Sequence, residues 1–330
     1  MTIAEIAARA GVSKTAVSRY LNDGYVSEEK REAIRKIIEE TGYVPSRHAQ
    51  MLRTGRSGLV GVILPRIDSE SISRVVRGIG TVLDENEFQL LLANTNNDEQ
   101  RELSYLEVFR RGQVDGILLV ATMLTPAHRE AMQRCTVPLV VVGQHTPLCS
   151  CVYHDDAGAA QALTRHLIDL GRRRIAYIGV TPRDRAVGHA RREGVCTALE
   201  EAGLVWDDAL AERTDFSMQG GRAACERLLA RGADFDGLFC ATDSIAIGAM
   251  QALHAAGRQT PQDVAVVGMG HSRMSELIHP TLTTAHYYYE KSGEEAARLL
   301  MNAMQDENPV RQQLCLGFEI MHGESSCGKD

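Results

Sequence analysis

This 330-residue sequence has no apolar run long enough to span a bilayer, and no charged stretch followed by an apolar one at its start, so a chain free in the cytoplasm is expected. Its eight cysteines, at positions 135, 149, 151, 196, 225, 240, 315 and 327, are scattered, and only Cys149 and Cys151 stand close together. That spacing builds no metal frame, and free, mostly buried thiols are expected in place of disulfides, zinc or a redox sensor. Low-complexity tracts are absent. So are the short motifs of common chemistries: no G-x-x-x-x-G-K-[ST] loop, no G-x-G-x-x-G after a strand, no G-x-S-x-G elbow and no H-E-x-x-H helix. No catalytic residues, metal or cofactor are therefore expected.

What the chain does hold is an uneven division of charge. Residues 1–60 carry 10 Lys+Arg against 7 Asp+Glu, and the other 270 carry 26 against 36, a net of +3 at one end and −10 over the body. A small basic end on an acidic body suits a chain that meets a phosphate backbone through that end only. Within it, Thr2 with Glu5 has the form of a capping box, Ile3, Ile6, Ala7 and Ala10 recur at helical spacing, and Gly11 closes that helix. Ser13 is the N-cap of a second helix. Steps of roughly 100° sort it into a face of Lys14, Thr15, Ser18 and Arg19 and a face of Ala16, Val17, Tyr20 and Leu21. The apolar face can pack on the first helix, leaving free the donors and two cations that a helix reading base edges and phosphates requires. Helix-pair geometry alone leaves an ordinary amphipathic hairpin equally open. A third helix, capped by Ser27, acidic at Glu28 and Glu29, apolar at Ala33, Ile34, Ile37 and Ile38 and ended by Gly42, completes a three-helix module and favours DNA reading.

The run IAEIAARAGVSKTAVSRYLN, followed by GYVPSRHAQMLRTG from Gly42 to Gly55, resembles the lactose-repressor (LacI/GalR) family of bacterial transcription regulators, and the resemblance covers nearly the whole chain. It implies an all-α helix-turn-helix DNA-binding domain over 1–45, a hinge helix or linker over 46–57, and an effector-binding and dimerisation core over 58–330. By the same resemblance Lys14, Thr15 and Arg19 read bases, Ser13 and Ser18 lie near phosphates, and Thr2 joins the DNA-binding set. Ala16 stands where the family often has threonine. From Pro45 to Arg56, Arg47, His48, Gln50, Arg53 and Arg56 alternate with Ala49, Met51 and Leu52. By composition this is a basic linker. The resemblance implies a hinge helix formed when two subunits meet on the operator, with Arg47, Ala49 and Gln50 on DNA and Leu52 wedged into the minor groove, where unstacking bends the duplex.

From Leu59 onward short apolar runs alternate with helical patterns: LVGVILP, a helix near 71–86, QLLLAN, a helix near 98–111, DGILLVA and PLVVVG. A second series follows: RRIAYIGV, a helix near 188–202, a strand near 209–214, a helix near 220–230, GLFCAT, a helix near 244–256 and DVAVVGM. The alternation predicts two α/β lobes, each a parallel sheet covered by helices. The resemblance implies a periplasmic-binding-protein-like core crossed three times by the chain. Its first lobe spans about 58–155 plus 286–318, with a helix near 291–304, and its second about 156–285.

Ligands of open parallel sheets lie beyond the C-terminal ends of the strands. Candidates there are Asp68, Ser69, Asn94, Asn96, Thr122 and Gln144 in the first lobe and Arg183, Arg185, Phe216, Thr242, Asp243 and His271 in the second. Resemblance adds Arg191, which opens an R-x-x-G pattern, as the arginine gripping effector oxygens with its forked donors. It places Phe216 where the family often has a ring against the ligand, a core role at a strand end remaining equally open. Asp243 matches the family's Asn-Asp pair, with Thr242 in place of Asn. Gly270 stands where many sugar-responsive members have Asp, and His271 or Ser272 could supply that contact. Arg183, Arg185 and Arg191 together suit a phosphorylated sugar, or else one functional arginine beside a solvated loop. His154, Asp155 and Asp156 could suggest acid-base work, but by resemblance they open the helix of a new lobe. Tyr287, Tyr288 and Tyr289 are core, crossover or interface residues.

VVVGQ, VYHDDAG, GVTPRDRAVG and LTTAHYYYEKSGEEAA look most like the sucrose-operon repressor subgroup. Two half-sites require a two-fold protein, hence a homodimer, and no leucine-rich heptad tail follows Phe318 to build a tetramer. The expected function is repression of a carbohydrate-utilisation operon at a palindromic double-stranded DNA operator, relieved by a sugar or sugar phosphate, sucrose-related by the subgroup resemblance. A corepressor-dependent regulator is the alternative and a sugar-binding enzyme the more distant one. The expected location is the cytoplasm, on the nucleoid when DNA-bound and with no membrane partner.

Overall fold

The structure, a computed structural model, describes residues 1–22, 24–43, 56–306 and 308–327. It divides into two units, Met1–Gly58 and Leu59–Asp330.

The first unit holds α1 (Ile3–Arg9), α2 (Lys14–Tyr20) and α3 (Glu28–Thr41). The capping box is reciprocal: the Glu5 amide donates to Thr2 Oγ1 at 3.3 Å, and the Thr2 amide donates to Glu5 Oε2 at 2.9 Å. Gly11 turns the chain at φ 66°, and Ser13 Oγ accepts the Ala16 amide at 3.2 Å to start α2. Ser27 holds the N-cap position of α3, but its hydroxyl makes no capping bond, contrary to expectation. Its carbonyl instead accepts the Arg31 amide at 2.9 Å, and Glu28 and Glu29 supply the negative charge favoured at that end. Ile6, Ala7, Val17, Val26 and Ile34 form the small core that fixes the three helices together.

In the second unit, β1 (Leu59–Leu64), α4 (Glu70–Glu85), β2 (Gln89–Asn94), α5 (Glu99–Val108), β3 (Gly116–Val120), α6 (Pro126–Gln133), β4 (Leu139–Val142) and β5 (Ser150–His154) build a first lobe. The helix expected near 98–111 ends at Val108 and widens into a π-helical turn, Phe109–Gln113. A second lobe follows with α7 (Asp156–Asp169), β6 (Ile175–Gly179), α8 (Arg191–Glu201), β7 (Ala211–Arg213), α9 (Met218–Ala230), β8 (Gly237–Cys240), α10 (Asp243–Ala255), β9 (Ala265–Met269), α11 (Arg273–Leu277) and β10 (Thr283–Tyr287). Then α12 (Tyr289–Gln305) and β11 (Gln313–Leu316) return to the first lobe, and β12 (Phe318–Met321) goes back to the second.

The first sheet has the order β11-β5-β4-β3-β1-β2 and is parallel throughout. The second runs β12-β10-β9-β8-β6-β7, with β12 antiparallel to β10. β3 and β4 are buried at every residue, as strands covered on both faces must be. Val60, Val62 and Leu118 point to the side of α4 and α12, whereas Ile63, Ile117 and Leu119 point to Leu106 and Met132 on the other side. Against the first sheet α4 and α12 pack backbone to backbone. A Cβ on Gly78 would lie 2.0 Å from the Glu290 carbonyl oxygen, and one on Gly293 would lie 2.0 Å from that of Val75.

The chain passes between the sheets three times, at Asp155, Tyr288 and Gly317, each a single residue between two elements. Residues 286, 287 and 318, expected in the first lobe, therefore belong to the second, because β10 bonds along β9 and pairs Tyr287 with Phe318. All eight cysteines are free. Among the described residues no helix is long and apolar enough to cross a membrane.

Candidate functional site

α2 turns Lys14, Thr15 and Arg19 to solvent, with Ser13 exposed ahead of them and Ser18 half-buried, while Val17 is sealed in the core. Ser13 Oγ accepts the Ala16 amide and so keeps its own proton for another acceptor. Among the described residues neither Lys14 nor Arg19 has an ion-pair partner, whereas on α3 Arg35 is held by Glu32 at 2.6 Å and Glu39 at 3.9 Å. The unneutralised cations of this unit thus include those on the polar face of α2, where a polyanion would be met. The expected hinge residues Arg47, Ala49, Gln50 and Leu52 lie outside the described residues.

In the second unit the C-terminal ends of the strands face a cleft between the lobes, and several contacts among the described residues cross it. Gln144 Nε2 donates to Asp184 Oδ1 at 2.9 Å and to the Thr122 carbonyl, also at 2.9 Å. Arg183 pairs with Glu99 at 3.0 Å, and Arg74 donates to the His271 carbonyl at 3.0 Å. The Arg273 amide donates to both Glu70 oxygens at 3.1 Å, and the Arg66 guanidinium lies 5.3 Å over the Phe216 ring. Charge-assisted bonds of this kind hold two surfaces in one register.

Asp184 is 2% exposed and caps the π-helical turn Arg185–Ala190 by accepting the Val187 amide at 3.0 Å. Burial pushes its pKa up to about 6, although the Val187 and Gln144 hydrogen bonds oppose that shift. Asp243 is likewise buried at the start of α10 and raised by desolvation; it accepts the Ser272 amide at 2.6 Å and the Thr284 hydroxyl at 2.5 Å. His271, at φ 49°, sets Nδ1 3.0 Å from His286 Nδ1 and Nε2 2.9 Å from Glu276.

Other candidates stand apart. Ser69 precedes α4 with its hydroxyl 3.0 Å from that of Ser71, and Asn96 is exposed at φ 54°, accepting the Asn94 amide at 2.8 Å. Asp68 is exposed beside Arg66, and Arg185 is exposed with no ion-pair partner among the described residues. Thr242 caps α10 through the Ile245 amide at 3.3 Å.

Arg191 is only 4% exposed. Its Nε and Nη2 each lie 2.7 Å from Asp156 Oδ1, its Nη1 donates to the Ala241 carbonyl at 2.5 Å, and its guanidinium lies 5.4 Å over the Tyr287 ring. The Tyr287 hydroxyl donates to the same Asp156 oxygen at 3.2 Å. The arginine expected to grip effector oxygens is in this arrangement an internal clamp tying α7, β8 and β10 together. The three tyrosines divide: Tyr287 is core, Tyr288 is an exposed crossover residue bonded to Glu319, and Tyr289 packs edge-on against Tyr287 at 5.7 Å.

Asp184, Glu70, Arg66 and Arg74 were not among the candidates, and Asp156, expected only to help open the helix of the second lobe, also holds Arg191. The three-residue step from Asp184 to the Val187 amide is a capping signal that PRDRAVG did contain, masked by the arginines on either side.

Comparison with known proteins follows the same division. The description "Bacterial regulatory proteins, lacI family" matches residues 2–46, and "Periplasmic binding protein-like domain" matches residues 164–326. The sucrose operon repressor of Staphylococcus xylosus is 34% identical, covering 96% of this chain and 98% of its own length. The transcriptional regulator CelR of Thermobifida fusca is 34% identical over 98% of each chain. A transcriptional regulator CelR-cellobiose complex aligns with a TM-score of 0.76 at 32% identity, covering 99% of this chain and 100% of the other. The lac repressor dimer bound to operator and the anti-inducer ONPF aligns over 99% of both chains with a TM-score of 0.90 at 22% identity, a likeness of fold. With a capped three-helix head, a two-lobed body crossed three times, and relatives of this identity over almost their whole length, the chain belongs to the lacI family of bacterial regulatory proteins.

Proposed function

We propose that this chain is a homodimeric repressor of a carbohydrate-utilisation operon, holding a palindromic operator through two copies of α2 and released when a sugar or sugar phosphate enters the interlobe cleft. The observation that carries the reading is the face of Lys14 and Arg19, without ion-pair partners among the described residues, on the same chain as a cleft bordered by Gln144, Asp184, Phe216 and His271. Residues 1–45 serve as the DNA-binding domain, 46–57 as the hinge and 58–330 as the effector and dimerisation core. The relatives support a sugar: two are named for the sucrose and ribose operons, the latter from Escherichia coli K12 at 33% identity over 98% of this chain, and a third was solved with cellobiose. Leu91 and Leu92, exposed on edge strand β2, support an interface between two copies.

The cross-cleft contacts give the mechanism its form. An effector changes DNA affinity only by binding one arrangement of the lobes better than another, and operator DNA then weakens effector binding by the same factor. The protein acts in the cytoplasm, on the nucleoid when DNA-bound, and leaves its ligand unchanged. The test is binding to a labelled palindromic site from upstream of its own or neighbouring genes, with sucrose, trehalose, fructose and their phosphates added singly. Release by one of them supports the reading. Tightening by one makes the protein corepressor-dependent, no effect from any removes the sugar half of the proposal, and turnover of the ligand would make it an enzyme.

A further inference from the structure

The second lobe has a cavity of about 320 Å³ whose walls all come from that lobe. Its aromatic side is Tyr177 on β6 and Trp206, edge to face at 5.4 Å. Tyr177 is 4% exposed, and its hydroxyl is buried without a hydrogen-bond partner among the described residues. Burial pushes that phenol up to about 12, so it keeps its proton and remains a donor. A buried donor left without an acceptor is costly, which makes this atom the place where a ligand gains most.

The charged lining of the cavity is Arg192 and Arg213 against Asp208 and Glu212, and both carboxylates are already engaged. The Arg192 guanidinium lies 4.7 Å over Trp206, and its ion-pair partner, exposed Asp208, is 3.7 Å away and also accepts the Trp206 indole N–H at 2.8 Å. Arg213, the last residue of β7, has no ion-pair partner among the described residues. Glu212 borders the cavity, but its carboxylate is already held by Arg227 at 2.8 Å and Arg231 at 2.5 Å.

We propose that this cavity is a second ligand site, separate from the interlobe cleft, for a small aromatic carboxylate whose anionic end accepts from the Tyr177 hydroxyl and pairs with Arg192 and Arg213. A volume near 320 Å³ falls at the small end of ligand pockets, roughly 300–1,000 Å³, and has room for one substituted ring. The site also touches the cleft machinery. Gly188 lines the cavity and belongs to the turn that Asp184 caps, and this turn lies so close to the chain before it that a Cβ on Gly188 would be 1.9 Å from the Thr181 carbonyl oxygen. A ligand against Gly188 therefore bears on the residue that bonds Gln144 of the other lobe, and occupancy of either site changes the affinity of the other.

Trp206 is the single tryptophan of the chain, so its emission reads the cavity directly. Benzoate is titrated into the full chain, with uncharged benzamide as control and calorimetry on the same samples. The expected result is saturation by benzoate, with benzamide, Tyr177→Phe and Arg213→Gln each weaker by about tenfold. Circular dichroism checks that the conservative Tyr177→Phe variant is folded. Absence of saturation at millimolar benzoate, equal binding of benzamide, or unchanged affinity in both cavity variants overturns the proposal. None of these readouts involves DNA or a sugar, so the proposed repressor function stands or falls separately.

Discussion

Gln144 and Asp184 meet across the two lobes, with the amide nitrogen of one 2.9 Å from a carboxyl oxygen of the other, and both side chains are withdrawn from solvent. Asp184 also caps the turn beneath it. One carboxyl thus fixes a local backbone conformation and a contact between lobes.

That double role predicts a pH signature. Burial raises Asp184 from 3.8 to about 6, so its ionisation opposes the folded, latched state, with a penalty that grows as pH rises through that window and is full above it. Asp184→Asn keeps an acceptor for Val187 and Gln144 and is expected to be more stable than the parent at about pH 7, by on the order of 2 kcal/mol, with the gap closing towards about pH 4. His154, lowered to about 4 by burial, works in the opposite direction but alike in both proteins. The difference between their thermal melts across this range is therefore the readout, and a gap independent of pH would contradict the burial of this carboxyl.

On the head, Lys14→Ala and Arg19→Ala are each expected to weaken operator binding by about 1–3 kcal/mol, measured by fluorescence anisotropy. Both side chains are exposed, so melting should stay within about 0.5 kcal/mol of the parent. A large loss of stability would mean that these residues hold the head together.

Arg191→Met leaves the Asp156 carboxyl, 7% exposed, without its cation. The expected loss is about 3–5 kcal/mol in denaturant unfolding. Replacing both residues, Arg191→Met with Asp156→Leu, should cost less than that single change, since an apolar pair of similar volume leaves no buried charge behind.

Leu92 is 41% exposed on the edge strand β2. Leu92→Lys is expected to shift the chain from dimer to monomer in sedimentation and to weaken operator binding in parallel, because two half-sites bound singly lose their shared effective concentration. A variant that stays dimeric moves the interface elsewhere.

Most of the strands that could be read from sequence are buried on both faces, the exceptions being the edge strands β2 and β7. LVGVIL, GILLV, LVVV, IAYIG, GLFC and AVVGM are apolar runs because nothing polar is tolerated between two helix layers. β5 and β10 carried no such mark. Their SCVYH and TTAHY hide polar side chains that are satisfied inside the fold, with Thr284 on Asp243 and Thr283 on Ser326 at 2.6 Å. Gln144, Phe216, Asp243 and His271 follow from the rule that ligands gather beyond strand ends. The partners of Arg191 did not, since Asp156 lies 35 residues upstream and Ala241 50 residues downstream, too far apart to leave a local pattern. Asp184 and Gln144 are separated by 40 residues in the same way.

One residue, Gly317, stands between a strand of one sheet and a strand of the other, and Asp155 and Tyr288 are equally short links. Two bodies joined by three such tethers can neither slide past one another nor drift apart. What is left to them is a change of angle, pivoted on a few backbone torsions, as in a pair of tongs. A molecule gripped at the jaws is then felt at the handles, and its size is translated into displacement at the far end of the lobe.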